Sequence, residues 1–180
     1  MARLSYLDAN ELPEPARRVF ESLEASRGFV PNLYRVAANA PHFLSAFAEL
    51  VAVSRAESSL PASLKELAIL QVAKLTGAAT MWASHQTLAA SAGVPALLAA
   101  ALPDWRVSGT ASPVQAAVLT LAEECTEAVR VTDHTWAEAA NVLSAEQLAE
   151  LVFVVAFYNM VARILHSFGV DLDPRYASSL

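Results

Sequence analysis

The stretch Lys65-Glu66-Leu67-Ala68-Ile69-Leu70-Gln71-Val72-Ala73-Lys74-Leu75-Thr76-Gly77, continued by Ala78-Ala79-Thr80-Met81-Trp82-Ala83-Ser84-His85, decides how this chain folds. It has no period-two alternation, so it does not read as a strand. The spacing predicts a helix from about Ala62 to Leu75, a break at Thr76-Gly77, and a second helix from about Ala78 to Ala92 closed by Gly93. Glu66 and His85 are polar residues on these two apolar helices. Packed as an antiparallel pair around the break, the helices bring the two side chains together. A carboxylate that orients an imidazole and leaves its second nitrogen free is a general acid–base pair. A blander reading competes with this one. Ser63-Leu64-Lys65-Glu66 has capping-box spacing, which would make Glu66 a helix-start residue. A helix beginning at Pro61 puts Glu66 in its second turn and removes that explanation.

The same punctuation continues outward. Ala16–Arg27 presents Val19, Phe20 and Leu23 on one face and stops at Gly28. A short helix follows Pro31, and another runs from Pro41 to about Glu57. Val94-Pro95 opens a short helix ending near Leu102, and Trp105–Ala111 reads as a loop. Ser112-Pro113-Val114-Gln115 combines an N-cap, a first-turn proline and a capping box for a helix to Val129. Val131–Leu143 is a further helix. Ser144-Ala145-Glu146-Gln147 opens the long apolar helix to Phe168, stopped by Gly169, and the tail Val170–Leu180 reads as polar and only partly ordered. The expected class is all-α, a single domain with an N-terminal arm over 1–60, core motif helices over 61–102 and C-terminal helices over 111–169.

Composition agrees. Of 180 residues, 55% are hydrophobic, 17% charged and only 5 are glycine, and alanine fills about a fifth of the positions. That balance suits closely packed helices and argues against a β-sandwich, a nucleotide-binding α/β fold or a disordered chain. The net charge is −6, with two lysines and ten scattered arginines. No basic stripe exists for phosphates, so neither nucleic acid nor an anionic membrane surface is an expected partner. A mean hydropathy of +0.37 raises the membrane question. Within Leu148–Leu165, Glu150, Asn159 and Arg163 interrupt the apolar run, which falls short of the roughly 20 residues a bilayer requires. The apolar surplus therefore points to a subunit interface. The N-terminus lacks an apolar signal segment, and the expected location is cytoplasmic. Cys125 alone supports neither a disulfide nor a Cys-based zinc site, and no His or acidic spacing supports a metal.

Other polar residues carry two readings each. Ala78, Met81, Trp82, His85 and Ala89 share a face, so Met81 and Trp82 either wall a small-ligand pocket beside Thr80 or are core. Tyr158, Asn159 and Arg163 sit on the long apolar helix. Arg163 there calls for an anionic partner: Glu66, another side chain or a substrate carboxylate. Asn32 and Arg35 either cover a pocket mouth or serve the short helix they start.

The Glu66–His85 region resembles the core motif of the carboxymuconolactone decarboxylase and AhpD-like superfamily. In its redox-active members a glutamate precedes a CxxC pair, with histidine four residues after the second cysteine. Those cysteine positions fall on Ala78 and Met81, so dithiol peroxidase chemistry is excluded by this route. The chain is more similar to the Cys-less, decarboxylase-like branch, through Arg27-Gly28-Phe29-Val30-Pro31-Asn32-Leu33-Tyr34-Arg35-Val36, Ala38-Asn39-Ala40-Pro41, Glu66-Leu67-Ala68-Ile69-Leu70, Leu75-Thr76-Gly77-Ala78 and Phe157-Tyr158-Asn159-Met160-Val161-Ala162-Arg163. That branch has Tyr-Glu-Trp where this chain has Thr80-Met81-Trp82, so an acid is replaced by a thioether.

The resemblance implies an AhpD-like helical fold, a homodimer, trimer or hexamer, no cofactor, and lyase or isomerase chemistry on a small carboxylated or lactone-type molecule. His85 and Glu66 would be catalytic, with Trp82, Thr80, Met81, Tyr158, Asn159, Arg163 and Arg35 binding substrate. Two alternatives stand beside it. One is a biosynthetic tailoring enzyme (dehydratase, cyclase or oxidative) for a more hydrophobic substrate, favoured by Met81. The other is a non-enzymatic helical assembly module.

Overall fold

A computed structural model describes residues 2–55 and 58–179. The expected end of the third helix, at Glu57, lies outside them. Among the described residues there are ten α-helices, two 3-10 segments and no strand. The chain divides into two compact units, Met1–Glu57 with Ile164–Ala177, and Ser58–Arg163 with Ser178–Leu180.

The second unit is built on α4 (Ala62–Thr76), which packs against α5 (Ala79–Ser91) and α8 (Pro113–Glu127). Leu67 through Ala73 are all buried, so α4 is enclosed on every face, as its lack of a polar side demands. Gly77 ends it at φ +67° with its N–H on Ala73 and Lys74 carbonyls, the left-handed stop anticipated from Thr76-Gly77. Leu67, Leu70, Ala89, Leu98, Trp105 and Leu119 form one apolar cluster that draws in α6 (Ala96–Ala100) and α7 (Trp105–Ser108). The α7 turn corrects the expected loop at Trp105–Ala111: burying the indole fixes the backbone around it.

Helix α8 starts with the anticipated capping box, Ser112 with Gln115. Helix α9 (Asp133–Ala140) is shorter than the expected Val131–Leu143, because Thr132 caps it and Glu124 binds the Thr132 N–H and the Thr135 hydroxyl. Helix α10 (Ala145–Phe168) runs as anticipated. It is long and apolar enough by length and composition to cross a membrane, yet 56% of its apolar window is buried within the protein.

In the first unit, α1 (Glu14–Arg27) packs on α3 (Pro41–Arg55), with α2 (Asn32–Ala37) between them in sequence and also against α3. Phe20 and Leu23 of α1, Tyr34 of α2 and Leu44 of α3 are buried there. The chain after Gly169 differs from expectation. The Tyr6 hydroxyl bonds the Asp171 carboxylate at 2.9 Å, and buried Asp173 accepts the Asn32 N–H at 3.1 Å. These partners are far away in sequence, which is why the tail reads as loose when taken alone.

Candidate active site

Helix α4 begins directly after Pro61, and no side chain caps it. Glu66 therefore lies in the second turn, and the capping-box reading of Ser63–Glu66 fails. The chain reverses at Gly77-Ala78 and brings His85 of α5 back to Glu66, with Nδ1 2.8 Å from Oε2. His85 is 5% exposed and the Glu66 side chain 13%, so the pair sits where competition from water is weak. An Nδ1–H donated to the carboxylate leaves Nε2 as the reactive nitrogen. Nε2 makes no hydrogen bond among the described residues.

Helix α10 supplies a third component. The Tyr158 ring stands edge-on to the His85 ring, centroids 5.0 Å apart and planes at 89°, and Phe157 packs on Tyr158 at 5.2 Å. These aromatic contacts, with the Glu66 bond, hold the imidazole in one orientation.

Other candidates fall elsewhere. Met81 is 2% exposed and belongs to the interior, as does Ala78, so apolar side chains occupy both cysteine positions of the redox motif. Trp82 packs against the Leu67–Trp105 cluster, and Lys74 covers its ring at 3.8 Å. Its core role thus has direct support. Thr80 is half-buried in the first turn of α5. Asn159 is buried with its amide in use: Nδ2 donates to Thr126 Oγ1 and the Val155 carbonyl, and Oδ1 accepts from Arg163. Arg163 is exposed, and its Nη1 bonds Asn159 Oδ1 and O at 2.9 Å rather than Glu66. Arg35 belongs to the other unit, where it pairs with Asp8 at 2.9 Å and lines a cleft of about 650 Å³ with Arg175 and Phe29. Cys125 is half-buried, and burial pushes its thiol pKa up, away from nucleophilic use.

Two features escaped the sequence reading. Lys74 over Trp82 was visible in principle, since the two stand symmetrically about the Gly77-Ala78 turn. Gln71, fully buried on α4, donates to the Pro103 carbonyl at 3.4 Å while its Oε1 has no partner among the described residues. Nothing in its apolar surroundings in sequence marked it.

The carboxymuconolactone decarboxylase family model matches residues 41–124, which include both Glu66 and His85. No curated protein matches the sequence. Among solved structures, the chain is similar to a peroxidase-related protein with an AhpD core from Ralstonia eutropha JMP134, at 17% identity and TM-score 0.84, covering 97% of this chain and 94% of that one. It is similar to a peroxidase-related protein from Silicibacter sp. TM1040 at 19% identity and TM-score 0.81, covering 97% and 92%. A cysteine-to-alanine variant of the debrominase Bmp8, in complex with 2,3,4-tribromopyrrole, matches at 18% identity and TM-score 0.81, covering 99% and 96%. At these identities the structural likeness establishes the AhpD-like fold.

Proposed function

We propose that this chain, whose residues 41–124 match the carboxymuconolactone decarboxylase family model and whose fold is AhpD-like, is an acid–base enzyme of the Cys-less kind. Its reading is decarboxylation or isomerisation of a small carboxylated or lactone-type molecule without a cofactor. The 2.8 Å contact between His85 Nδ1 and Glu66 Oε2 carries this reading, because it presents Nε2 as the proton-transfer atom. In an isomerisation, Nε2 takes a proton from carbon beside a carbonyl. The C–H electron pair moves onto the carbonyl oxygen, and His85 then gives a proton, exchangeable with solvent, to a different carbon. In a decarboxylation, the C–CO2 bond breaks and its pair delocalises onto the carbonyl. His85 then delivers the proton to carbon. Glu66 stabilises the imidazolium in either case, and Tyr158 walls the substrate side. Arg163 would anchor an anion only if its bonds to Asn159 opened.

Thiol peroxidase chemistry finds no support in the interior Ala78 and Met81. A second reading, a more hydrophobic substrate, is favoured by Tyr158 and Phe157 beside His85. Incubation in deuterium oxide with a panel of lactone carboxylic acids, read by proton NMR, follows both loss of CO2 and exchange of the activated C–H. Wild type is expected to accelerate one of these, and His85→Gln to lower that rate by about 10²–10⁴. An unchanged rate in His85→Gln overturns the assignment. Activity only toward neutral aromatic compounds such as 2,3,4-tribromopyrrole transfers it to the second reading.

A further inference from the structure

The cleft of about 650 Å³ in the first unit has charges that are unevenly paired. Arg35 and Asp8 line it as an ion pair at 2.9 Å, so each satisfies the other. Three more charged groups line it without an ion-pair or hydrogen-bond partner among the described residues. They are Glu21 and Glu24, one turn apart on α1, and Arg175 in the 3-10 segment Pro174–Ser179. Arg175 is nonetheless held. Its guanidinium lies over the Phe29 ring, 4.5 Å from the centroid, and the Tyr176 ring meets Phe29 edge-on at 5.9 Å. Such stacking uses the face of a guanidinium and leaves the N–H donors at its edge free. Buried Asp173 is within electrostatic reach of Arg175 and Arg35 and forms an ion pair with neither. Arg175 Nη1 stands 3.8 Å from where a Cβ on Gly28 would be, which places the cation at the C-terminal end of α1. Glu24 and Glu21 lie about 6 and about 10 Å back from Gly28 along the helix axis, at 1.5 Å per residue. A cation complements the α1 dipole at this end, but that role leaves the two carboxylates facing the same space unexplained.

We infer that this cleft binds a small zwitterion, an α-amino acid with an apolar side chain. A ligand carrying only a negative charge sets it against Glu21 and Glu24, and one carrying only a positive charge sets it against Arg175. A neutral apolar ligand strips water from all three charges and returns no partner. A zwitterion answers each of them. Its carboxylate accepts from the free edge of Arg175, and its ammonium donates to Glu24 or Glu21. Two such bonds of about 2.8 Å each leave only a few ångströms of the α1 spacing for the ligand's own charges, which suits an ammonium and a carboxylate on one carbon. Phe29 and Val30 then receive the apolar side chain. The volume lies within the range of about 300–1,000 Å³ usual for small-molecule sites. Every residue of the cleft belongs to the first unit, whereas Glu66 and His85 belong to the second, and no step of the proposed reaction uses it.

Titration of the whole chain with L-phenylalanine, 3-phenylpropanoate and 2-phenylethylamine, followed by amide proton–nitrogen NMR spectra, separates the charges. The three compounds share a phenyl group on a two-carbon chain and differ in which charges they carry. L-Phenylalanine is expected to saturate one site, moving the Gly28 and Phe29 amides, with a dissociation constant of about 1 mM. Each analogue should bind about tenfold more weakly, the effect of losing one hydrogen bond to a charged group. Arg175→Gln should reduce L-phenylalanine to the affinity of 2-phenylethylamine. Glu21→Gln combined with Glu24→Gln should reduce it to that of 3-phenylpropanoate. All three side chains are exposed, so helical circular dichroism should be unchanged in both variants. Failure of L-phenylalanine to saturate by about 10 mM overturns the inference. So does an analogue that binds as tightly as L-phenylalanine, which would make the cleft a site for a single charge. Binding indifferent to Arg175→Gln overturns it as well, since the amino acid would then sit elsewhere.

Discussion

Two glutamates of the same unit, Glu66 on α4 and Glu150 on α10, show how one functional group serves opposite ends. Both are half-buried on apolar helices. Glu66 bonds a single imidazole nitrogen, His85 Nδ1, at 2.8 Å. Glu150 accepts three donors from the segment that leads into α4: the Ser58 hydroxyl at 2.6 Å, the Leu60 N–H at 2.7 Å and the Ser59 N–H at 3.1 Å. Backbone amides neither titrate nor leave, so Glu150 is committed to holding chain. An imidazole gains and loses a proton, so Glu66 is coupled to a group that can act. The donors of a carboxylate, rather than its burial, separate a latch from a site.

The largest effect that tests this contrast belongs to Glu66. Glu66→Gln should lower the proton-exchange rate of the proposed reaction by about 10²-fold while leaving the melting temperature within a few degrees of wild type. An equal loss of stability would make Glu66 a second latch. Leu70→Ala, in the apolar cluster around α4, should cost about 2–5 kcal/mol in urea unfolding, since Leu70 is 1% exposed and leaves a cavity.

Glu150→Ala should cost about 1.5–3 kcal/mol, the range for hydrogen bonds to a charged group, with the exchange rate retained. The Ser58 hydroxyl and the Ser59 and Leu60 amides hold the Glu150 carboxyl at about 2, below its ordinary 4.5. The folded value lies below the unfolded one. Its stabilisation is therefore complete above pH 4.5 and is lost as pH falls toward and through about 2. Melting curves of wild type and Glu150→Gln should accordingly converge between pH 5 and pH 2 and stay apart at pH 7; a constant gap would show that the latch acts through packing. The smallest effect is that of Gly77→Ala, about 1 kcal/mol. An added Cβ meets nothing within 4 Å there, so only the left-handed backbone at φ +67° opposes it. A larger loss of exchange rate than of stability would show that the Gly77 turn aims Glu66 at His85.

The Glu66–His85 pair was legible because it is local. Two helices with a glycine between them fold back on each other, and Glu66 before the Gly77 turn and His85 after it then come within reach. The motif Phe157-Tyr158-Asn159 marks Tyr158, but its place against His85 depends on how α10 packs. The Asn159–Arg163 bond was hidden for a related reason: i, i+4 spacing allows it, yet spacing does not say whether a carboxylate elsewhere competes. Glu150 gave no signal, because its three donors come from a segment of irregular backbone.

By itself the sequence determined the helices, their glycine and capping-box boundaries, the reversal at Gly77 and the lack of a thiol at Ala78 and Met81, all of which rest on short-range sterics and residue chemistry. Tertiary structure alone decided that Trp105 forms a turn of helix, that Asp171 and Asp173 tie down the C-terminal tail, that Trp82 packs against the core and that one face of α10 stays uncovered. Each of these depends on burial and on hydrogen bonds between residues distant in the chain, and no local preference encodes where such partners come to rest.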